Sequence, residues 1–96
     1  MLTNKKIKKE KKRSKKISVK IIFFAKSKEI TGKKYLNLKL PQNSKINDLI
    51  NKLKELYPNL NDLNFSIAIN NEYIYNYDIA LRDKDIVSII PPVSGG

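Results

Sequence analysis

Ninety-six residues, 41% of them hydrophobic, accommodate one domain with a single modest core, which excludes two domains or a large enzyme cavity. Cysteine and histidine are both absent, so thiol nucleophiles, disulfides, the usual zinc ligands and the one side chain that titrates unperturbed near neutrality are excluded, and no metal site is expected. The net charge of +11 is concentrated at one end: residues 1–16 hold nine Lys or Arg and one Glu, residues 17–96 eleven and eight.

Met1, Leu2 and Ile7 are the only sizeable apolar residues of the basic segment, too few to offset its ordering entropy, and its like charges repel at every helical spacing. Residues 1–16 are therefore expected to form a disordered tail, with the folded domain spanning 17–96. A mitochondrial presequence would favour Arg on an amphipathic stripe, whereas this run has Arg13 alone and no apolar face. Nuclear-localisation, nucleic-acid and anionic-membrane roles are open to such a run. A solvated extension in a Lys-, Asn- and Ile-rich chain accounts for it more simply, so neither a membrane nor a nucleic acid is expected as partner. The longest apolar run, Ile21 to Ala25, is far short of the roughly 20 residues that cross a bilayer, and a soluble, cytosolic protein is expected.

Ser18 to Ala25 reads Ser-Val-Lys-Ile-Ile-Phe-Phe-Ala, rich in β-branched and aromatic residues, and predicts a first strand buried on both faces for part of its length. Lys26 to Gly32 is a polar stretch. Tyr35 to Leu40 then alternates strictly, with three leucines on one face and Tyr35, Asn37 and Lys39 on the other, and Pro41 ends this second strand. Ser44 is the expected N-cap of the one main helix, in which Ile46, Leu49, Ile50, Leu53 and Leu56 fall at helical spacing before Pro58. An irregular connection from Asn59 to Asn64 precedes a third strand from Phe65 to Ile69. Asn70-Asn71 predicts a tight turn, because Asn tolerates positive φ, into a short return through Tyr73 to Tyr75. A charged turn, Arg82-Asp83-Lys84-Asp85, leads to the last strand, Ile86 to Ile90, which Pro91-Pro92 ends.

The first and last strands are the most apolar, and central positions suit them best. Placed side by side they run parallel, with the helix over one face of a mixed sheet. This α+β arrangement is the β-grasp, or ubiquitin-like, fold. Both strands carry apolar residues in both parities, so one set stays uncovered unless loops fold over it. Phe24 and Ile89 are candidate docking residues if their sides face away from the helix.

Of three glycines, Gly95 and Gly96 end the chain; at a usual frequency of about 7% a terminal pair arises by chance in roughly one chain in 200. Pro91-Pro92 favours an extended course away from the sheet, and the six residues from Pro91 reach about 20 Å. Two residues without Cβ let a bare backbone and its carboxylate enter a narrow slot. The reactive group is then the α-carboxylate of Gly96, a poor acyl donor until activated, for example by adenylation.

From about residue 18 the chain resembles the family of small, sulfur-carrying subunits of molybdopterin synthase. The resemblance rests on Ile22-Phe23-Phe24-Ala25 with Lys28-Glu29 and Gly32, on Ala68-Ile69-Asn70-Asn71-Glu72, and above all on Leu81 through the ending Pro91-Pro92-Val93-Ser94-Gly95-Gly96. The family usually has Arg at position 28 and Gly at position 84. The resemblance implies that an adenylyltransferase of the ubiquitin-activating type adenylates Gly96 with ATP and magnesium, and that a sulfurtransferase then makes the thiocarboxylate. It further implies that the arm, Pro91, Pro92, Val93, Ser94 and Gly95, inserts into a large catalytic subunit and gives sulfur to cyclic pyranopterin monophosphate, within a heterotetramer. On that reading the chain is no enzyme by itself and holds no permanent cofactor. Carriers for thiamine synthesis or tRNA thiolation usually end differently, and a ubiquitin-like protein modifier is the alternative of another class.

Overall fold

The computed structural model describes residues 15–92, so the segment expected to be disordered lies, up to residue 14, outside the described residues. Strand β1 (Lys16–Phe23) starts one residue inside the segment assigned to the tail and buries every second side chain: Ile17, Val19, Ile21 and Phe23. That period of two is the pleat of a strand with one face on the core. Strand β2 (Tyr35–Pro41) runs antiparallel beside it and sets Leu40, Leu38 and Leu36 opposite Ile17, Val19 and Ile21.

Helix α1 (Lys26–Thr31) occupies the stretch expected to be merely polar. Its six residues carry no apolar stripe that a sequence could display. What makes it is a turn at Ala25 (φ 51°, ψ −128°), the buried Ser27, and Gly32 at φ 72°, whose N–H donates to the Lys28 carbonyl at 2.8 Å. Helix α2 (Ile46–Leu56) is the main helix and buries Ile46, Leu49, Ile50 and Leu53 against the sheet, while Leu56, in its last turn, stays exposed.

Ser44 is not the N-cap of α2. Its hydroxyl donates to the Pro41 carbonyl at 2.6 Å, closing a turn, and Lys45 takes the cap position. A cation there opposes the helix dipole. Two carboxylates compensate: Asp48 accepts the Lys45 N–H at 2.8 Å, and Asp78 accepts from Lys45 Nζ at 2.9 Å. The hydrogen bond that Lys45 donates to Asp78, then the Asp78 charge, holds the Lys45 ammonium above its ordinary pKa, so on the lysine side this exposed tether is present at neutral pH and is lost as pH rises through that raised pKa.

A 3-10 helix (Pro58–Asp62) replaces the expected irregular connection and drives Leu60 into the core. Strands β3 (Ser66–Ile69) and β4 (Glu72–Ile74) form a hairpin in which Asn70 and Asn71 stand at φ 50° and 72°, the primed turn that Asn-Asn predicts. Strand β5 (Ile86–Ile90) returns through the middle, so the sheet order is β2-β1-β5-β3-β4. It lies parallel to β1, with Ile21 beside Val87 and Phe23 beside Ile89, and antiparallel to β3. One mixed sheet with one main helix on one face is the β-grasp expected from the strand order.

The 82–85 turn locks the start of β5 to β1. Ser18 N–H donates to Asp83 Oδ1 at 2.7 Å, and Lys84 N–H donates to the Ser18 carbonyl at 2.6 Å. This geometry needs Lys84 at φ 72°, the left-handed region that glycine occupies without steric cost. Lys84→Gly is therefore expected to raise unfolding stability by about 1 kcal/mol, read as a higher urea midpoint at unchanged slope.

Candidate functional site

The parallel ladder decides where the chain leaves the sheet. Because β5 points the same way as β1, Pro91 emerges at the end where β1 finishes, opposite the end where residue 15 enters. The root of the arm is held from two sides. Phe24 N–H donates to the Ile89 carbonyl at 3.2 Å, and Ser66 stands opposite Ile90. Buried Ser27 adds a third tie: its hydroxyl donates to the Phe24 carbonyl at 2.7 Å, with the Ile89 carbonyl 3.4 Å away. Proline at 91 and 92 then removes two N–H donors in succession, and the ladder cannot continue. Pro91 is buried and Pro92 exposed, beside an open groove of about 730 Å³ whose wall includes Ala25, Lys26, Glu29 and Asp62. Val93, Ser94, Gly95 and Gly96, the expected working end, lie outside the described residues.

Ala25, at the rim of that groove, holds φ 51° and ψ −128°, a conformation rarely adopted by residues with a Cβ. Strain of this kind persists only where neighbours over-determine it. Here the Phe24–Ile89 bond on one side and the start of α1 on the other do so, and together they set the direction in which β5 releases the arm.

The register sorts every strand residue onto one of two faces. Ile21, Phe23, Val87, Ile89 and Ile67 point to α2 and are buried. Ile22, Tyr35, Ile86, Ser88, Ile90, Ala68 and Tyr73 point the other way. Tyr35, Tyr73 and Ile86 are exposed and Ile22 and Ile90 half-buried, while the small Ala68 and Ser88 at the middle of this face are buried. One apolar set thus stays uncovered, the first of the two outcomes left open by the sequence.

The two candidate docking residues separate on this division. Phe24, just past β1, is 45% exposed. Ile89 is fully buried under α2 and is corrected out of any docking surface; the residue of β5 that faces outward at that level is Ile90. Both parities of β5 are apolar in sequence, so only the register with β1 could tell them apart. Among the described residues no group of three or more carboxylates could hold a metal ion, and no helix is long and apolar enough to cross a membrane.

Comparison with known proteins gives this geometry its relatives. The sequence profile of the ThiS family matches residues 21–96. The molybdopterin synthase sulfur carrier subunit of Dictyostelium discoideum is 45% identical over 82 residues, covering 80% of this chain and 94% of that protein. A chain of the solved complex of subunits 1 and 2 of the molybdopterin-converting factor of Helicobacter pylori is a match at 30% identity and a TM-score of 0.61, covering 83% of this chain and all of that one. The small archaeal modifier protein 1 of Methanosarcina acetivorans superposes with a TM-score of 0.71 at 28% identity over 85% of this chain and 99% of its own.

The two faces are distinguishable by substitution. Ile89→Asp places a charge in the core and is expected to cost more than about 4 kcal/mol, unfolding the protein, whereas Phe24→Asp is expected to stay within about 1 kcal/mol of the native stability. Thermal unfolding followed by circular dichroism of the two variants checks this.

Proposed function

This chain belongs to the ThiS family, and we propose that within it the protein works as the sulfur carrier subunit of molybdopterin synthase. The observation that carries the reading is the root of the arm: a central strand, anchored on both sides, releases Pro91-Pro92 at its end, and the sequence continues to Val93-Ser94-Gly95-Gly96. Pro91 is buried at the root and Pro92 exposed, so the chain turns outward as it leaves the sheet. The Dictyostelium relative is a sulfur carrier subunit, and the Helicobacter match belongs to a two-subunit complex, which supports a large-subunit partner.

The chemistry is that of a carboxylate made into a leaving-group ester. An adenylyltransferase of the ubiquitin-activating type joins a Gly96 carboxylate oxygen to the nucleotide of ATP, with magnesium held by that enzyme, and pyrophosphate leaves. The terminal sulfur of a sulfurtransferase persulfide displaces AMP to give an acyl disulfide, and a thiol then cleaves its S–S bond, leaving a terminal thiocarboxylate on the chain and a disulfide on the sulfurtransferase. Residues 91–95 thread this end into the large subunit, where the sulfur passes to cyclic pyranopterin monophosphate. The carrier contributes reach and a narrow backbone, and the large subunit contributes the catalytic side chains. The chain is thus a non-catalytic subunit with no resident cofactor, acting in the cytosol as one of the two carriers in a heterotetramer with two large subunits. Its working domain is residues 17–96, and its docking surface is the uncovered face near the arm, where Phe24, Ile22 and Ile90 offer apolar area.

Removal of Gly96 is expected to abolish sulfur transfer while leaving the circular dichroism spectrum and melting temperature unchanged. Intact mass after incubation with the activating enzyme, ATP and a sulfur source is expected to show one oxygen exchanged for sulfur in the full chain and no change in the truncated one. A truncated chain that still supports cofactor assembly refutes the carrier reading, and covalent ladders on a denaturing gel in place of the mass exchange favour the modifier.

A further inference from the structure

The uncovered face is not uniform along its length. Its arm end is apolar, with Ile22, Phe24 and Ile90. Its other end is cationic. Lys16 and Lys20 lie on β1, and Lys39 on β2 is paired with Ser18 between them, so three ammonium groups share the face at successive steps of two residues. At about 3.3 Å per residue those steps are roughly 6.6 Å. No Asp or Glu stands on this face of the five strands. The ion pairs among the described residues, Lys26–Glu29, Lys45–Asp78 and Lys52–Glu55, include none of the three.

Asp83 and Asp85 lie at the rim, but their carboxylates are engaged with the Ser18 and Arg82 N–H groups and with the Asn70 side chain. Before Lys16 the sequence adds to the same sign, since residues 1–15 hold eight Lys or Arg against one Glu. Like charges set side by side without counter-charges repel, and an anionic surface laid over them turns that repulsion into attraction, the more so at low salt.

We propose that the partner which receives the arm presents a cluster of carboxylates to Lys16, Lys20 and Lys39, so that docking joins an apolar contact beside the arm to an acidic contact at the opposite end of the sheet. The proposal rests on the carrier reading and adds the chemistry of the partner's surface. Three observations favour a protein over a phosphate polymer. The lysine ladder is continuous with the apolar half of the face, which a nucleic-acid backbone cannot complement. Tyr35, the aromatic ring nearest the ladder, already has the Lys20 ammonium 4.6 Å from its centroid, which leaves that ring face closed to base stacking. The face holds no arginine, the residue suited to bidentate phosphate contacts.

Lysines so placed act mainly on association. The far end of β1, where the arm leaves, is seven residues or about 23 Å along the strand from Lys16 and three residues or about 10 Å from Lys20, so the ladder can orient the carrier on its partner from beside the root of the arm.

The test compares the full native chain with the variant carrying Lys16→Glu, Lys20→Glu and Lys39→Glu, and with the Lys→Arg triple, in stopped-flow association with the organism's own large subunit at low and high salt. Expected are a native association rate that falls about tenfold or more as salt rises, a rate lowered about tenfold or more by the Glu triple at low salt, and a salt dependence the Glu triple flattens but the Arg triple keeps. Sulfur transfer at saturating large subunit is expected to be unchanged, which a merely unfolded variant would not show. Equal rates and salt dependence for native and Glu triple overturn the proposal. So does loss of binding to a homopolymeric RNA by the Glu triple with subunit association unaltered, which would assign the ladder to a nucleic acid. A native chain that fails to bind the large subunit at any salt overturns the carrier reading itself, and this proposal with it.

Discussion

The parallel pairing of β1 with β5 is the contact on which the rest of the molecule depends. It is closed at its two ends by Lys20 N–H on the Asp85 carbonyl at 3.0 Å and Phe24 N–H on the Ile89 carbonyl at 3.2 Å. Between them Ile21, Phe23, Val87 and Ile89 form the floor on which α2 packs Ile46, Leu49 and Leu53. Burial of such side chains contributes about 1.5–3 kcal/mol each, so a slip of one residue in this ladder would exchange the whole floor for Ile22, Ser88 and Ile90. Because the pairing is parallel, entry and exit of the folded domain fall at opposite ends of the sheet. Residues 15 and 92, where the described chain begins and ends, are thereby kept apart.

The turns around this ladder bear the conformational cost of closing it. Ala25 and Lys84 adopt positive φ at its two ends, and Asn70 and Asn71 do so in the adjoining hairpin. The asparagines are suited to their places, whereas Lys84 and Ala25 are tolerated because backbone hydrogen bonds on both sides hold them. The same bonds give Pro91 and Pro92 one fixed direction of exit from the sheet.

The division of the sheet into two faces also links stability to recognition. One face is saturated by α2, the 3-10 helix with Leu60, and the segment that brings Leu81 into the core. The other exposes aromatic and aliphatic area near the arm and lysines away from it. An interface that combines the two gains affinity from the apolar part and orientation from the charged part.

Much of this was written into the residues. The strict alternation from Tyr35 to Leu40, the helical spacing of Ile46, Leu49, Ile50 and Leu53, and the Asn70-Asn71 turn identify their elements, because each pattern has a period that only one conformation satisfies. Helix α1 was not legible, since six residues with one half-buried isoleucine show no period, and Ser44 was misread because a turn to Pro41 competes for its hydroxyl. The local sequence by itself determined which segments are strands, which segment is the main helix, and that the chain ends in a proline-launched glycine pair. Only the tertiary structure decided that Ile89 belongs to the core while Phe24 and Ile90 face outward, and that Lys39 falls between Lys16 and Lys20. A strand apolar in both parities does not state its own orientation, and residues distant in sequence become neighbours only through the register of the strands that carry them.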